Sequence, residues 1–190
     1  EIREKVLSTA KRLNYQPNAL ARSLKNHQTH TIGVVIPDIA NPYFMKISKG
    51  IEDTVYKNNY NLIFASAEEQ PIKEKQLLNV LFEKRVDAIV LATSGQNEET
   101  VEKIKKSGIP IILVDRELKE HDESIDFIAE DNCKAAFELT NHLLKQGHSK
   151  IGVINGSLQV STGLERFNGF KEAIKENGLE LNPDFIYNGN

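Results

Sequence analysis

Polar side chains follow several short apolar segments of the chain, at the points where those segments end. They are Asp38, Asn41 to Phe44, Thr93, Ser94, Asp115, Arg116, Asp131, Asn132, Ser161, Thr162 and Arg166. The set combines aromatic rings with carboxylate, amide, hydroxyl and guanidinium groups. A ring can cover the C–H face of a sugar while planar polar groups pair with neighbouring hydroxyls. The residue types favour a small polyhydroxylated ligand, but they allow equally that Tyr43 and Phe44 are core residues and that Asp115 and Arg116 are a surface pair.

The apolar segments that would position these side chains read as buried strands. They span residues 31–36, 61–66, 87–92, 110–115 and 150–155, with weaker segments at 125–129 and 184–187. Continuous apolar strands are typical of a parallel sheet covered on both faces. The stretches between them have the 3.6-residue period of amphipathic helices, and Gly108 and Gly147 stand where helix C-caps need glycine. We predict a doubly wound parallel α/β sheet, whose ligands bind at the carboxyl ends of the strands.

A basic segment precedes this α/β body. Residues 1–30 carry six Lys or Arg against two Glu, a net charge of +4, and the remainder carries 18 against 25, a net charge of −7. Residues 1–15 have the pattern of one amphipathic helix, which Pro17 ends, and Asn18 can cap a second helix of about two turns. Such a short helix is marginal alone in water. A basic arm on an acidic body predicts an anionic polymer as a partner, although a solvated charged helix fits the composition as well.

The sequence lacks the usual signatures of an enzyme. Nucleotide-binding glycine motifs, the serine-hydrolase elbow and the zinc-protease motif do not occur, and the histidines lack metal-ligand spacing. We therefore predict no catalytic residue, no cofactor and no metal. The single cysteine, Cys133, rules out an internal disulfide. The absence of a long apolar run or a signal peptide predicts a cytoplasmic protein that does not contact a membrane.

Several motifs, taken in order, resemble the lactose-repressor/galactose-repressor (LacI/GalR) family of bacterial transcription regulators. They are KRLNYQPNALARSLKN, TIGVVIPDIANPYF, KRVDAIVL, IPIILVDRE, DN-x-x-A, GHSKIGVINGS and GLERFNGF. The resemblance spans essentially the whole chain. It implies a ligand-responsive repressor that acts as a homodimer, binds double-stranded operator DNA and responds to a sugar or sugar derivative.

The resemblance also implies a domain layout. Residues 1–26 would be the last helix of a helix-turn-helix domain plus a hinge helix, 27–157 the N-terminal lobe of a periplasmic-binding-protein-like effector domain, and 158–190 part of its C-terminal lobe. We expect the chain to be a fragment that lacks the start of the helix-turn-helix domain and the C-terminal part of the effector domain. By the same resemblance, the DNA-binding residues are Asn18, Ala21, Arg22, Leu24 and Lys25, with Leu24 as an apolar wedge between base steps. The effector-binding residues are Asn41, Tyr43, Phe44, Thr93, Asp115, Arg116, Thr162 and Arg166.

Two other functions stay open at this point. A periplasmic-type sugar-binding protein of a transport system would share the whole α/β body, but it does not explain residues 1–26. An α/β enzyme that uses Asp115 and Arg116 would need a nucleophile or cofactor motif that the sequence does not contain. Purine-binding family members share the aromatic pair but not the Asp-Arg pair, so the resemblance favours a sugar.

Overall fold

The computed structural model describes residues 2–15, 28–119 and 124–189. The five predicted DNA-binding residues, from Asn18 to Lys25, lie outside these ranges. In chain order the helices are α1 (Ile2–Arg12), α2 (Pro42–Lys57), α3 (Pro71–Glu83), α4 (Glu98–Lys106), α5 (Asn132–Lys145) and α6 (Ser161–Glu176). The strands are β1 (Thr31–Ile36), β2 (Asn61–Ser66), β3 (Ala88–Leu91), β4 (Ile111–Val114), β5 (Asp126–Ile128), β6 (Val153–Asn155) and β7 (Ile186–Asn188).

Five strands form one parallel sheet in the order β2-β1-β3-β4-β5. Alternate residues of β1 enter different cores: Val35 packs with Leu78 and Leu81 of α3 and with α4, whereas Val34 and Ile36 pack with Phe44 of α2. The sheet is therefore covered on both faces, and the predicted doubly wound α/β fold is confirmed. The strand order reverses between β1 and β3, where such folds bind their ligands.

Each predicted strand has a counterpart in the described residues, and the ends differ by a few residues. The segment predicted at 150–155 begins as a strand only at Val153. At residues 184–187, Asn182 caps a short 3-10 helix (Pro183–Phe185) and delays β7 to Ile186. Gly108 and Gly147 have φ values of +91° and +89°, as helix C-caps require. Asn14, at φ +50°, ends α1 three residues before Pro17.

The last part of the chain forms a second unit. β6 and β7 pair in a separate two-stranded parallel sheet, and α5 packs along α6. A Cβ on Gly169 would collide with the carbonyl oxygen of Cys133, so the glycine lets the two helices approach closely. The predicted boundary after residue 157 separates β6 from β7 and α5 from α6. We therefore propose a lobe boundary near residue 130 instead.

The helix α1 stands apart from both cores. None of its residues is buried, and Ile2 and Val6 are 82% and 61% exposed. Its apolar stripe, predicted from the sequence, has no partner among the described residues. No helix in the described ranges is both long and apolar enough to cross a membrane.

Candidate functional site

The N-terminus of α2 brings the first two aromatic residues to the carboxyl edge of the five-stranded sheet. The Asn41 side chain caps the helix by accepting a hydrogen bond from the Tyr43 backbone N–H (3.0 Å), and Pro42 supplies the preset φ of a first helical residue. Phe44 is 2% exposed and belongs to the core, whereas Tyr43 is 44% exposed. From the sequence, each of the two rings could lie either in the core or in a binding site. In the structure Phe44 lies in the core and Tyr43 lies at the edge of the sheet.

The Tyr43 ring reaches across the edge to β4. Its hydroxyl donates a 2.8 Å hydrogen bond to Oδ1 of Asp115, which is 7% exposed. Burial, followed by the hydrogen bond to this carboxylate, raises the pKa of Tyr43 to about 12. Glu130 raises and Arg166 lowers the same pKa by charge, which places both near the hydroxyl. Tyr43 and Asp115, predicted from different strands, therefore form one polar pair.

Asp115 and Arg116 leave β4 through a strained backbone. Asp115 has φ +65°, a left-handed conformation that is costly for a residue other than glycine and is found preferentially at functional sites. The Arg116 guanidinium lies over the Phe44 ring, 5.5 Å from its centroid, and its Nε is buried without a hydrogen-bond partner. The pair is thus a partly buried polar corner and not a simple surface pair.

Glu69 is a neighbour of Arg116 that the sequence analysis did not select. Its carboxylate accepts two parallel hydrogen bonds from Arg116, from Nη1 at 2.6 Å and from Nη2 at 2.8 Å. Glu69 follows β2 with φ +55°, and its backbone N–H donates to the Pro37 carbonyl at 3.0 Å. Its place after β2 was a usable signal, because every loop at the carboxyl edge can face the ligand.

Thr93 and Ser94, which follow β3, are held by a buried carboxylate that the sequence analysis also missed. Glu74 of α3 is 0% exposed and accepts hydrogen bonds from the Thr93 hydroxyl (3.1 Å), the Ser94 backbone N–H (2.5 Å) and the Asn97 side chain (2.8 Å). The Thr93 oxygen also accepts a bond from the Gly95 N–H. Thr93 is completely buried and bonded within the protein, whereas the buried Ser94 Oγ has no partner. In this loop the Ser94 hydroxyl, unlike that of Thr93, is therefore not used in a hydrogen bond within the protein.

The second unit contributes Thr162 and Arg166 from α6. Thr162 is 6% exposed in the first turn of α6. Arg166 is exposed, and its Nε donates to Asn132 Oδ1 at 2.8 Å. The β4 loop reaches the same helix start, because the Glu117 backbone N–H donates to Ser161 Oγ at 2.9 Å. The structure thus brings Arg166 into electrostatic range of Tyr43 and leaves Thr162 packed in the helix.

An apolar groove lies in the second unit. It has a volume of about 460 Å³ between α5, α6 and β6, and it shares only Arg166 with the predicted effector residues. Half of its lining consists of aliphatic or aromatic side chains, without the ring-and-carboxylate arrangement of the sheet edge. No group of His, Cys, Asp and Glu in the described ranges is arranged to hold a metal ion.

Comparisons with known proteins agree on one family. A family model described as periplasmic binding proteins and sugar binding domain of LacI family matches residues 29–190. Catabolite control protein A of Priestia megaterium is 36% identical over 188 residues, which cover 98% of this chain and 56% of that protein. The HTH-type transcriptional repressor PurR of Aliivibrio salmonicida is 35% identical over 187 residues, which cover 98% of this chain and 56% of that protein.

The fold comparison gives the same result. The Cra transcriptional dual regulator from Pseudomonas putida, solved in complex with fructose 1-phosphate, matches with a TM-score of 0.77 and 28% identity. The match covers 84% of this chain and 58% of that chain. The chain therefore spans a little over half the length of the relatives it matches.

Proposed function

This chain belongs to the LacI family, and from that premise we propose that it is part of a cytoplasmic, sugar-responsive transcriptional repressor that binds operator DNA as a homodimer. The relatives are transcription regulators and not enzymes, and we propose no catalytic role for this protein. The effector would bind at the carboxyl edge of the five-stranded sheet. The binding of effector and DNA would be coupled by a free energy of about 1–3 kcal/mol, as is typical of allosteric proteins.

The observation that carries this proposal is the polar corner made by Tyr43, Asp115 and Arg116. It combines a half-exposed ring that follows β1 with a buried carboxylate and a guanidinium that follow β4, at the carboxyl edge of the sheet. Two buried atoms in loops at this edge, Ser94 Oγ and Arg116 Nε, have no hydrogen-bond partner. Buried polar atoms are normally paired, so an orphaned donor at this edge is explained by a ligand that pairs with it. Sugar hydroxyls, which both donate and accept, suit this mixture of groups.

Among the predicted effector residues, the contacts support different roles. We propose that Tyr43, Asp115, Arg116 and Arg166 contact the effector, that Ser94 does so in place of Thr93, and that Asn41, Phe44 and Thr162 hold the site in shape. The division follows the hydrogen bonds, because the Asn41 side chain and the Thr93 hydroxyl are already used within the protein.

A sugar-binding protein of a transport system is the alternative, since the matched family model covers such proteins too. The similarity of residues 1–28 to repressors favours the regulator, because the match to catabolite control protein A covers 98% of this chain. The predicted DNA contacts Asn18, Ala21, Arg22, Leu24 and Lys25 remain part of the proposal.

The test measures the binding of an effector and of a DNA duplex to the complete protein. A thermal-shift screen against pentoses, hexoses, sugar acids and nucleobases would identify the effector, since a ligand of the native state raises the melting temperature. Fluorescence anisotropy with a duplex selected from a random library would then measure DNA affinity with and without that compound. We expect a sugar to raise the melting temperature and to change DNA affinity by about 5- to 150-fold.

Two results would overturn the proposal. Stabilisation by nucleobases alone would exclude the sugar assignment. Failure to select any duplex above background, together with tight sugar binding, would favour the transport protein.

A further inference from the structure

The charge balance at the carboxyl edge bears on the kind of sugar that it accepts. Arg116 is the cation that adjoins Asp115 in the loop after β4, and its side chain is only 12% exposed. Both terminal nitrogens of this guanidinium are occupied by Glu69 in a fork-to-fork pair. A carboxylate or phosphate ligand would seek the same two nitrogens, because bidentate pairing with arginine is the geometry that such anions prefer. Glu69 therefore occupies the position of an anionic ligand group.

The loop that carries Glu69 holds it there. Glu68 and Glu69 have φ values of +52° and +55°, and the Glu69 N–H is bonded to the Pro37 carbonyl. Gln70, the next residue, bonds its N–H to the Ala67 carbonyl at 3.0 Å before α3 begins. Two consecutive left-handed residues between two anchored ends leave the backbone little freedom. The Glu69 carboxylate can thus leave Arg116 only by moving its side chain.

An anionic ligand that displaced Glu69 would meet unfavourable charge. The displaced carboxylate would lose its guanidinium partner near the buried Asp115, whose Oδ2 lies 3.7 Å from Arg116 Nε. The charge of Glu130 also acts on Tyr43 and raises its pKa, whereas the opposing charge of Arg166 belongs to an exposed side chain that already donates a hydrogen bond to Asn132. An uncharged sugar avoids this cost, because it can bond to Arg116 Nε, Ser94 Oγ and Asp115 while Glu69 stays in place.

We propose that Glu69 is a specificity-determining residue that makes this site select uncharged sugars over phosphorylated or carboxylated ones. The inference rests on the proposed function, and it narrows the effector from sugars in general to sugars without an anionic group. In this arrangement Glu69 neutralises Arg116, and the site presents Asp115 and hydrogen-bonding groups to the ligand. Loss of the Glu69 charge frees the guanidinium for an anion.

The neighbouring residue supplies a matched control. Glu68 lies on the same loop with the same left-handed backbone, but its carboxylate pairs with Lys73 Nζ at 2.7 Å and not with Arg116. Glu68→Gln and Glu69→Gln change the net charge equally and at adjacent positions. A general charge effect would move both variants alike, whereas the proposed selection involves Glu69 alone. Glu69 is half exposed, so we expect both variants to fold.

The experiment is isothermal titration of the complete protein and the two variants with matched pairs of ligands. The pairs are D-ribose and D-ribose 5-phosphate, D-glucose and D-glucose 6-phosphate, and D-fructose and D-fructose 1-phosphate. We expect the unmodified protein to bind the uncharged member of a pair more tightly. Glu69→Gln should shift the affinity ratio towards the phosphate by about tenfold or more, the scale of one charge-assisted hydrogen bond, and Glu68→Gln by less than about twofold. Tighter binding of the phosphate by the unmodified protein, or equal shifts in the two variants, would refute the inference.

A second arm separates this inference from the proposed function. Thermal melting is measured in inorganic phosphate and in chloride at equal ionic strength. Glu69→Gln alone should gain stability from phosphate; equal behaviour of all three proteins would count against the role of Glu69. If no sugar of either kind binds, the proposed function fails, and the phosphate arm still decides whether Glu69 blocks an anion site at Arg116.

Discussion

At each edge of the five-stranded sheet, the carboxylate of one residue accepts several hydrogen bonds from a neighbouring segment of the chain. At the carboxyl edge, Glu74 gathers three donors from the loop after β3. At the amino edge, Asp87 accepts hydrogen bonds from the Thr29 N–H (2.7 Å), the Thr29 hydroxyl (2.9 Å) and the His30 N–H (2.9 Å). Each carboxylate holds a backbone segment that lies just outside a strand. The two edges therefore share this carboxylate-centred arrangement, and they differ in the polar atoms that surround it.

The two edges differ in their buried polar atoms that have no hydrogen-bond partner. Among the described residues, the buried side-chain atoms without a partner are Ser94 Oγ, Glu98 Oε1 and Arg116 Nε. All three follow β3 or β4, at the carboxyl edge. At the amino edge the two Asp87 oxygens are used by the residues that lead into β1. One edge thus retains polar groups that a ligand can pair with, and the other uses its carboxylate to fix the entering chain.

Removal of Glu74 from the carboxyl edge should have the largest effect on the protein. Glu74→Ala leaves three donors unpaired in a completely buried site, and we expect a loss of about 3–5 kcal/mol in the free energy of unfolding. Glu74→Gln keeps the shape but replaces one acceptor with a donor, and it should cost less, about 1–3 kcal/mol. Urea denaturation measures both. The exposed Glu83 on the same helix is the control, and Glu83→Ala should change stability by less than about 0.5 kcal/mol. A Glu74→Gln protein as stable as the original would show that the carboxylate is not needed.

The second test removes Asp87 from the opposite edge. Asp87 is only partly buried, and water can replace some of its bonds, so Asp87→Ala should cost about 1–2 kcal/mol, less than Glu74→Ala. Because the segment that Asp87 holds joins the proposed DNA-binding part to β1, DNA affinity should fall while effector affinity changes little. Anisotropy with the selected duplex and titration with the identified sugar measure the two affinities. The exposed Asp126 of β5 is the control, and equal losses for Asp126→Ala would contradict a specific role for Asp87.

The third and smallest effect concerns the proton of Tyr43. Its pKa is raised to about 12 by burial and by Asp115, so the folded state holds this proton more tightly than the unfolded chain does. The stabilisation is therefore fully present below the unfolded pKa of about 10 and is lost as the pH rises towards 12. Ultraviolet titration of tyrosinate absorbance should contain a late component that Tyr43→Phe removes. Asp115→Asn should move that component to lower pH, and an unchanged titration curve would contradict the Tyr43–Asp115 bond.

Local patterns predicted much of the fold. The apolar segments 31–36 and 61–66 match β1 and β2 at both ends, because a strand buried on both faces has an unbroken apolar sequence. Gly108 and Gly147 were placed correctly since only a left-handed residue ends those helices well. The pairing of Tyr43 with Asp115 was also accessible, because carboxyl ends of parallel strands meet at one edge. The contacts of these residues with an effector stay a prediction.

Other features depended on long-range contacts. The proposed lobe boundary near residue 130 rests on such a contact, because a strand segment does not reveal which sheet it joins, and β6 pairs with β7 about thirty residues later. Glu69 and Glu74 were passed over because a glutamate in a loop or a helix normally faces solvent. Their partners, Arg116 and Thr93, lie 47 and 19 residues away along the chain.

The sequence by itself determined the order of strands and helices, the basic character of its first thirty residues and the family to which the chain belongs. These are properties of short segments, set by side-chain periodicity, caps and charge. Only the packed fold shows which carboxylates are buried, which arginine nitrogens are occupied and which buried hydroxyl lacks a hydrogen-bond partner. The physical reason is that desolvation and hydrogen bonding depend on groups that the fold brings together from distant positions in the chain.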